Sequence, residues 1–87
     1  MIGQMANRVK VLYFGQARDA SGTTGEEISL PAPASLHDLV RIAETRHRAL
    51  TKLNKTTRMA VNAELARNDR GLDDGDEVAF LPPVAGG

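Results

Sequence analysis

The sequence predicts an α+β fold, one mixed sheet of four to five strands with one main helix packed on one face. Three observations carry that expectation. The two most apolar β-type runs, Val9 to Phe14 and Glu77 to Leu81, stand near opposite ends of an 87-residue chain. Between them, Ser35 to Leu50 repeats its apolar residues at helical spacing. The other segments are short, alternate weakly and are divided by proline, glycine and aspartate. A chain of this length makes one domain.

Residues 1–7 read as a short flexible leader, 8–81 as the domain and 82–87 as an extended tail. Val9-Lys10-Val11-Leu12-Tyr13-Phe14 is β-branched and aromatic, hence a strand. Val9, Val11 and Tyr13 share the face expected to point to the core. Lys10, Leu12 and Phe14 share the other, which is more apolar than a solvent face requires. Gly15 ends the strand, and Ala20-Ser21-Gly22-Thr23 supplies a turn into a second strand, Thr24 to Leu30, paired with the first as a hairpin. Pro31 and Pro33 stop that strand, since proline cannot donate to a ladder.

Ser35 is placed to cap a helix, with Asp38 at the positive end of its dipole. Leu36, Leu39, Val40, Ala43, His47 and Leu50 form one apolar stripe, so the helix is expected to run to about Leu50. Thr51 to Thr57 is a polar, basic connection. Arg58 to Asn62 reads as a short strand, Asn62-Ala63-Glu64 as a turn, and Leu65-Ala66-Arg67 as a brief return strand. Asp73-Asp74-Gly75-Asp76 is a tight turn into the last strand. There Val78 and Phe80 face one way, Ala79 and Leu81 the other. The first and last strands are too far apart in sequence for a hairpin. Side by side at the sheet centre they run parallel, with the helix inside the connection, which is the β-grasp layout.

Eleven basic and eleven acidic residues balance, which argues against nucleic acid or an anionic membrane as a general partner. The charge is nonetheless segregated. Arg41 to Arg58 holds six basic residues and one acidic, and Glu64 to Glu77 holds six acidic and two basic. The absence of cysteine removes disulfides, thiolate metal sites and side-chain thiol catalysis, and fits a reducing cytoplasm. The longest apolar run is far short of a membrane span, and no signal peptide opens the chain.

Catalytic constellations are missing. There is no phosphate-binding glycine motif and no Ser/His/Asp set in a strand-turn-helix context. Asp73, Asp74 and Asp76 lack the spacing and the distal glutamate of a calcium loop. His47 lies on the apolar stripe and reads as a satisfied boundary histidine, so no metal site is expected. What remains is the tail. Pro82-Pro83 favours an extended path of roughly 3.1 Å per residue, so residues 82–87 reach about 19 Å beyond the sheet. Gly86-Gly87 has no side chain to exclude from a narrow slot. The α-carboxylate of Gly87 would be the reactive group. It is ionised at neutral pH and needs prior activation, such as a mixed anhydride with AMP, for which this domain has no machinery.

Two stretches now point to a family. Lys10-Val11-Leu12-Tyr13-Phe14-Gly15-Gln16-Ala17-Arg18-Asp19 with Gly22 carries a Phe-x-x-x-Arg-x-x-x-Gly pattern. Asp74-Gly75-Asp76-Glu77-Val78-Ala79-Phe80-Leu81-Pro82-Pro83-Val84-Ala85-Gly86-Gly87 is a closing strand and tail, and Ala60-Val61-Asn62 matches the strand between. Over residues 8 to 87 the chain resembles the ubiquitin-like sulfur-carrier proteins, most closely the small subunits of molybdopterin synthase. The resemblance implies that an E1-like enzyme uses ATP to adenylate Gly87 and that the adenylate becomes a C-terminal thiocarboxylate. It implies that the tail, Pro82, Pro83 and Val84 included, enters the active site of a large subunit within a heterotetramer. Sulfur then passes to precursor Z (cyclic pyranopterin monophosphate) to form the dithiolene of the molybdenum cofactor. The catalytic side chains belong to the large subunit, and the carrier binds no cofactor. The family's apolar docking face falls on Phe14, Leu65 and Leu81, with leucine at Leu81 where the family carries phenylalanine.

Three other readings share these features. A sulfur carrier for thiamine or cysteine synthesis would have the same fold and Gly-Gly end. A ubiquitin-like modifier would join Gly87 to lysines through an isopeptide bond. A plain binding module would tolerate deletion of Gly86-Gly87.

Overall fold

The computed structural model describes residues 6–83. The elements in chain order are β1 (Ala6–Tyr13), α1 (Gly15–Ser21), β2 (Gly25–Pro31), β3 (Ala34–Ser35), α2 (Leu36–Arg46), a 3-10 helix (Arg48–Leu53), β4 (Arg58–Val61), β5 (Glu64–Leu65), β6 (Gly71–Leu72) and β7 (Glu77–Leu81). Five strands make one sheet in the order β2-β1-β7-β4-β5, while β3 and β6 pair separately. β1 and β7 are parallel at its centre, with Val11 opposite Val78 and Tyr13 opposite Phe80. β2 flanks β1 and β4 flanks β7, both antiparallel.

Alternation along the strands decides what is inside. Val9, Val11 and Tyr13 of β1, Ile28 and Leu30 of β2, and Val78 and Phe80 of β7 are buried on one face. Leu36, Leu39 and Ala43 of α2 cover them. α2 starts as the sequence suggests. Ser35 Oγ accepts from the Asp38 amide at 3.2 Å and the Asp38 carboxylate accepts from the Ser35 amide at 2.9 Å, a reciprocal capping box.

Four local expectations are revised. β1 begins at Ala6, so Ala6 and Asn7 are sheet rather than leader; residues 1–5 lie outside the described residues. The connection after Tyr13 is not a simple turn but the short helix α1. The Phe14 carbonyl accepts from the amides of Ala17 and Arg18, and Ala17 is fully buried. A seven-residue helix is too short to show periodicity or to stand alone, so only its packing reveals it. The main helix stops at Arg46, not Leu50. At His47 the backbone leaves the helical region (φ −131°, ψ 86°), and Leu50 reaches the core through the 3-10 helix. Finally, β3 and β6 form a two-residue ladder that no sequence pattern announced.

The β4–β5 hairpin turns on Asn62 (φ +51°) and Ala63 (φ +70°), the left-handed pair of a type I′ turn. Asn62 is held from three sides. Its amide donates to Glu77 O at 2.7 Å, its Nδ2 donates to Asp76 Oδ1 at 3.0 Å, and its Oδ1 accepts from the Glu77 amide at 3.0 Å. Ala63 has no such compensation for a conformation that costs an L-residue about 1–2 kcal/mol. Ala63→Gly is therefore expected to stabilise the domain by about 1 kcal/mol, read as a rise of several degrees in Tm by calorimetry.

The acidic turn before β7 is structural. Asp76 Oδ2 accepts from the Asp73 amide at 2.8 Å, and Asp74 Oδ1 accepts from the Arg8 amide at 2.7 Å. Bonding to the Asp73 amide, followed by that to Asn62, holds the Asp76 carboxyl below its ordinary range despite partial burial. The Asp-Gly-Asp-Glu segment thus pins the start of β7 against β1 and the β4–β5 turn.

Candidate functional site: an apolar sheet face at the root of the tail

With α2 on one face of the sheet, the register places a second apolar set on the other. Leu12 is opposite Ala79, Ala79 opposite Ala60, and Ala60 opposite Leu65, so these four form a row across β1, β7, β4 and β5. Leu81 lies one step along β7, opposite Arg58. Phe14 follows Tyr13 at the end of β1, its amide donating to Phe80 O at 3.3 Å. Phe14 is 48 % exposed and Leu65 62 %, the two exposed large hydrophobic residues among those described. Single exposed apolar residues need no explanation, but two at the ends of one apolar band invite cover. Lys10, Arg18 and Arg58 are exposed around that band.

The sequence-derived residues therefore divide cleanly. Phe14, Leu65 and Leu81 share the sheet face away from α2, with Leu81 half-buried. Pro82 is half-buried and Pro83 exposed as the chain leaves β7. Val84, Gly86 and Gly87 lie outside the described residues.

Two features of the root were not evident beforehand. Gly15 adopts φ +51°, and a β-carbon there would lie 3.5 Å from Pro82 Cγ. The turn after Phe14 thus packs on the first residue of the tail, in a backbone conformation that favours glycine. The Phe-x-x-x-Arg-x-x-x-Gly spacing also acquires a physical meaning. Phe14 is the N-cap of α1, Arg18 lies in its last turn, and Gly22 (φ +76°) closes it by donating to Arg18 O at 2.8 Å. The motif is one short helix that fixes Phe14 at the sheet margin.

On the core side, His47 is satisfied as expected. Its Nε2 lies 2.7 Å from Glu26 Oε2, which also accepts from the Tyr13 hydroxyl at 2.5 Å. Arg46 Nη1 donates to Glu26 Oε1 at 3.2 Å, and the His47 ring meets the Tyr13 ring edge-on with centroids 5.6 Å apart. This carboxylate joins β1, β2 and the end of α2. Its position was readable, because Glu26 precedes Ile28 and Leu30 on the inward face of β2. Burial pushes the Glu26 carboxyl up, but the bonds from Tyr13 and His47 outweigh it and hold the group below its ordinary value. Burial first, then the bond to Glu26, pushes the Tyr13 phenol up. A depressed carboxyl stabilises the fold above its unfolded pKa, about 4.3, and loses that contribution as pH falls through the folded value. Tm between about pH 5 and 3 should accordingly fall less steeply for Glu26→Gln than for the parent chain.

Among the described residues no group of three or more His, Cys, Asp or Glu side chains is placed to hold a metal, and no helix is long and apolar enough to cross a membrane.

A mixed five-stranded sheet that packs one main helix, with parallel end-strands at its centre, defines a ubiquitin-like β-grasp domain. The chain belongs to the ThiS family, whose model matches residues 11–87. It is 38% identical over 82 residues to the molybdopterin synthase sulfur carrier subunit of Chlamydomonas reinhardtii, covering 92% of this chain and 99% of that protein. Among solved structures it resembles that of SAMP1 from Haloferax volcanii in fold, with a TM-score of 0.86, 21% identity, and coverage of 93% of this chain and 100% of that one. It also resembles, at TM-score 0.64 and 28% identity, a chain in a protein–protein complex of subunits 1 and 2 of the molybdopterin-converting factor from Helicobacter pylori. That match covers 92% of this chain and 99% of the other.

Proposed function

We propose that this protein is the sulfur carrier subunit of a molybdopterin synthase. Its cycle begins when an E1-like enzyme spends ATP to adenylate the Gly87 carboxylate. Hydrosulfide, or its equivalent delivered by a sulfur donor, then attacks the acyl carbon and AMP leaves, so that Gly87 ends as a thiocarboxylate. The large subunit docks on the apolar sheet face through Phe14, Leu65 and Leu81. Residues 82–87 enter its active site, where the thiocarboxylate sulfur bonds to precursor Z and water cleaves the acyl–sulfur bond, so that Gly87 returns to a carboxylate. The working assembly is a heterotetramer in the cytoplasm, and the carrier itself holds no cofactor.

The observation that carries this reading is the juxtaposition at the sheet margin. Phe14 at the end of β1 and Leu65 on β5, the two exposed large hydrophobics among the described residues, lie on either side of β7, with β4 between β7 and β5, and β7 runs straight into Pro82-Pro83. A partner covering that face receives the tail at its edge, where proline restricts the path. Similarity to the Chlamydomonas sulfur carrier subunit and to a chain of the Helicobacter complex supports the choice of pathway and partner.

Intact mass of the protein isolated from its own host tests the chemistry. Exchange of oxygen for sulfur at the terminus adds about 16 Da, whereas adducts on lysines of other proteins would favour a modifier. Docking is tested separately. Phe14→Ala should weaken binding to the large subunit by at least about tenfold, the cost of truncating a central apolar anchor, and leave Tm near that of the parent chain.

A further inference from the structure

The helix side of the molecule carries a second, unassigned surface. Between α2, the 3-10 helix and β4 lies a cavity of about 200 Å³. Its floor is apolar, formed by Leu50, Met59 and Phe80, and its rim is polar, formed by His37, Arg41 and Asn68. An apolar cavity of about 150 Å³ accepts a benzene ring, so this one has room for a phenyl or branched aliphatic group. Arg41 and Glu44 line both this cavity and a neighbouring open groove that includes Arg48 and Lys52, so the two share a wall on α2. All three cations are exposed, and none forms an ion pair among the described residues. The one carboxylate in the groove, Glu44, accepts from Asn54 Nδ2 at 3.3 Å. Arg46 of the basic run pairs with Glu26, but these three cations find no such partner among the described residues.

We propose that this groove is a second docking surface, which takes an acidic segment of a partner protein bearing one apolar side chain. The apolar side chain fills the cavity over Met59 and Phe80, and carboxylates lie along Arg41, Arg48 and Lys52. Complementary charge there favours an acidic peptide and opposes a basic one. Single-stranded nucleic acid is the weaker fit, because no exposed Phe, Tyr or Trp ring stands near these cations for a base to stack on. α2 lies on the opposite side of the sheet from Phe14 and Leu65. A partner held here leaves the apolar sheet face and the tail free.

The test is an amide chemical-shift titration of the full chain with a seven-residue peptide of six glutamates flanking one central phenylalanine. Shifts should concentrate at Arg41, Arg48, Leu50 and Met59. Exchanging the peptide's phenylalanine for alanine, which leaves the protein untouched, should raise Kd at least about tenfold. The R41E/R48E double variant alters only exposed side chains and should lose the interaction. Four results would each overturn the proposal: equal Kd for the alanine peptide, shifts centred on Lys10, Phe14 and Arg18, equal binding of an oligothymidylate, or self-association of the chain through α2 without peptide.

Discussion

Deletion of Gly86 and Gly87 is expected to abolish dithiolene formation while leaving the fold and large-subunit docking in place. The shortened chain ends at Ala85, two residues short. At roughly 3.1 Å per residue its carboxylate falls about 6 Å back from where Gly87 would present sulfur. Reacting atoms must approach to about 3–3.5 Å, so such a displacement is fatal to transfer even if the adenylate still forms. Phe14, Leu65 and Leu81 are unchanged, so affinity for the large subunit should fall by much less than activity. Conversion of precursor Z by the reconstituted complex, with binding measured in parallel, reads both quantities. Full activity of the truncated chain would end the sulfur-carrier reading and favour a plain binding module.

Phe80→Ala is expected to remove a large share of the domain's stability. Phe80 is 4% exposed and packs its ring against Tyr13 with centroids 5.1 Å apart. Burying no replacement, the substitution costs about 3–5 kcal/mol. An 87-residue domain has a total stability of about 4–13 kcal/mol at ordinary values per residue. Chemical denaturation should show the midpoint falling sharply. Phe80→Leu keeps most of the buried volume and is expected to retain the fold with reduced stability.

Much of the architecture was legible because its signals are periodic and long. Alternation placed Val9, Val11 and Tyr13 inside and Phe14 outside, and both placements hold. The central parallel pairing of β1 with β7 followed from two apolar strands at opposite ends of the chain. Short elements escaped for the converse reason. α1 has seven residues, and β3 and β6 have two each, too few to establish a period. The break at His47 escaped too, since an apolar stripe continues equally well through an α-helix or a 3-10 helix. There, bonding to Glu26 and the edge contact with Tyr13 accompany the change of backbone path.

By itself the sequence determined the fold class and the face each residue of β1 and β7 takes, and made Gly87 the candidate for the proposed chemistry. These depend on residue type, spacing and covalent order, which tertiary contacts do not alter. Only the tertiary structure decided which distant residues act together. It set Ala60 and Leu65 in one row with Leu12 and Ala79, brought Gly15 against Pro82, and left Arg41, Arg48 and Lys52 unpaired beside a cavity. Such neighbours are joined by register and helix docking, and both are settled by how the whole core packs.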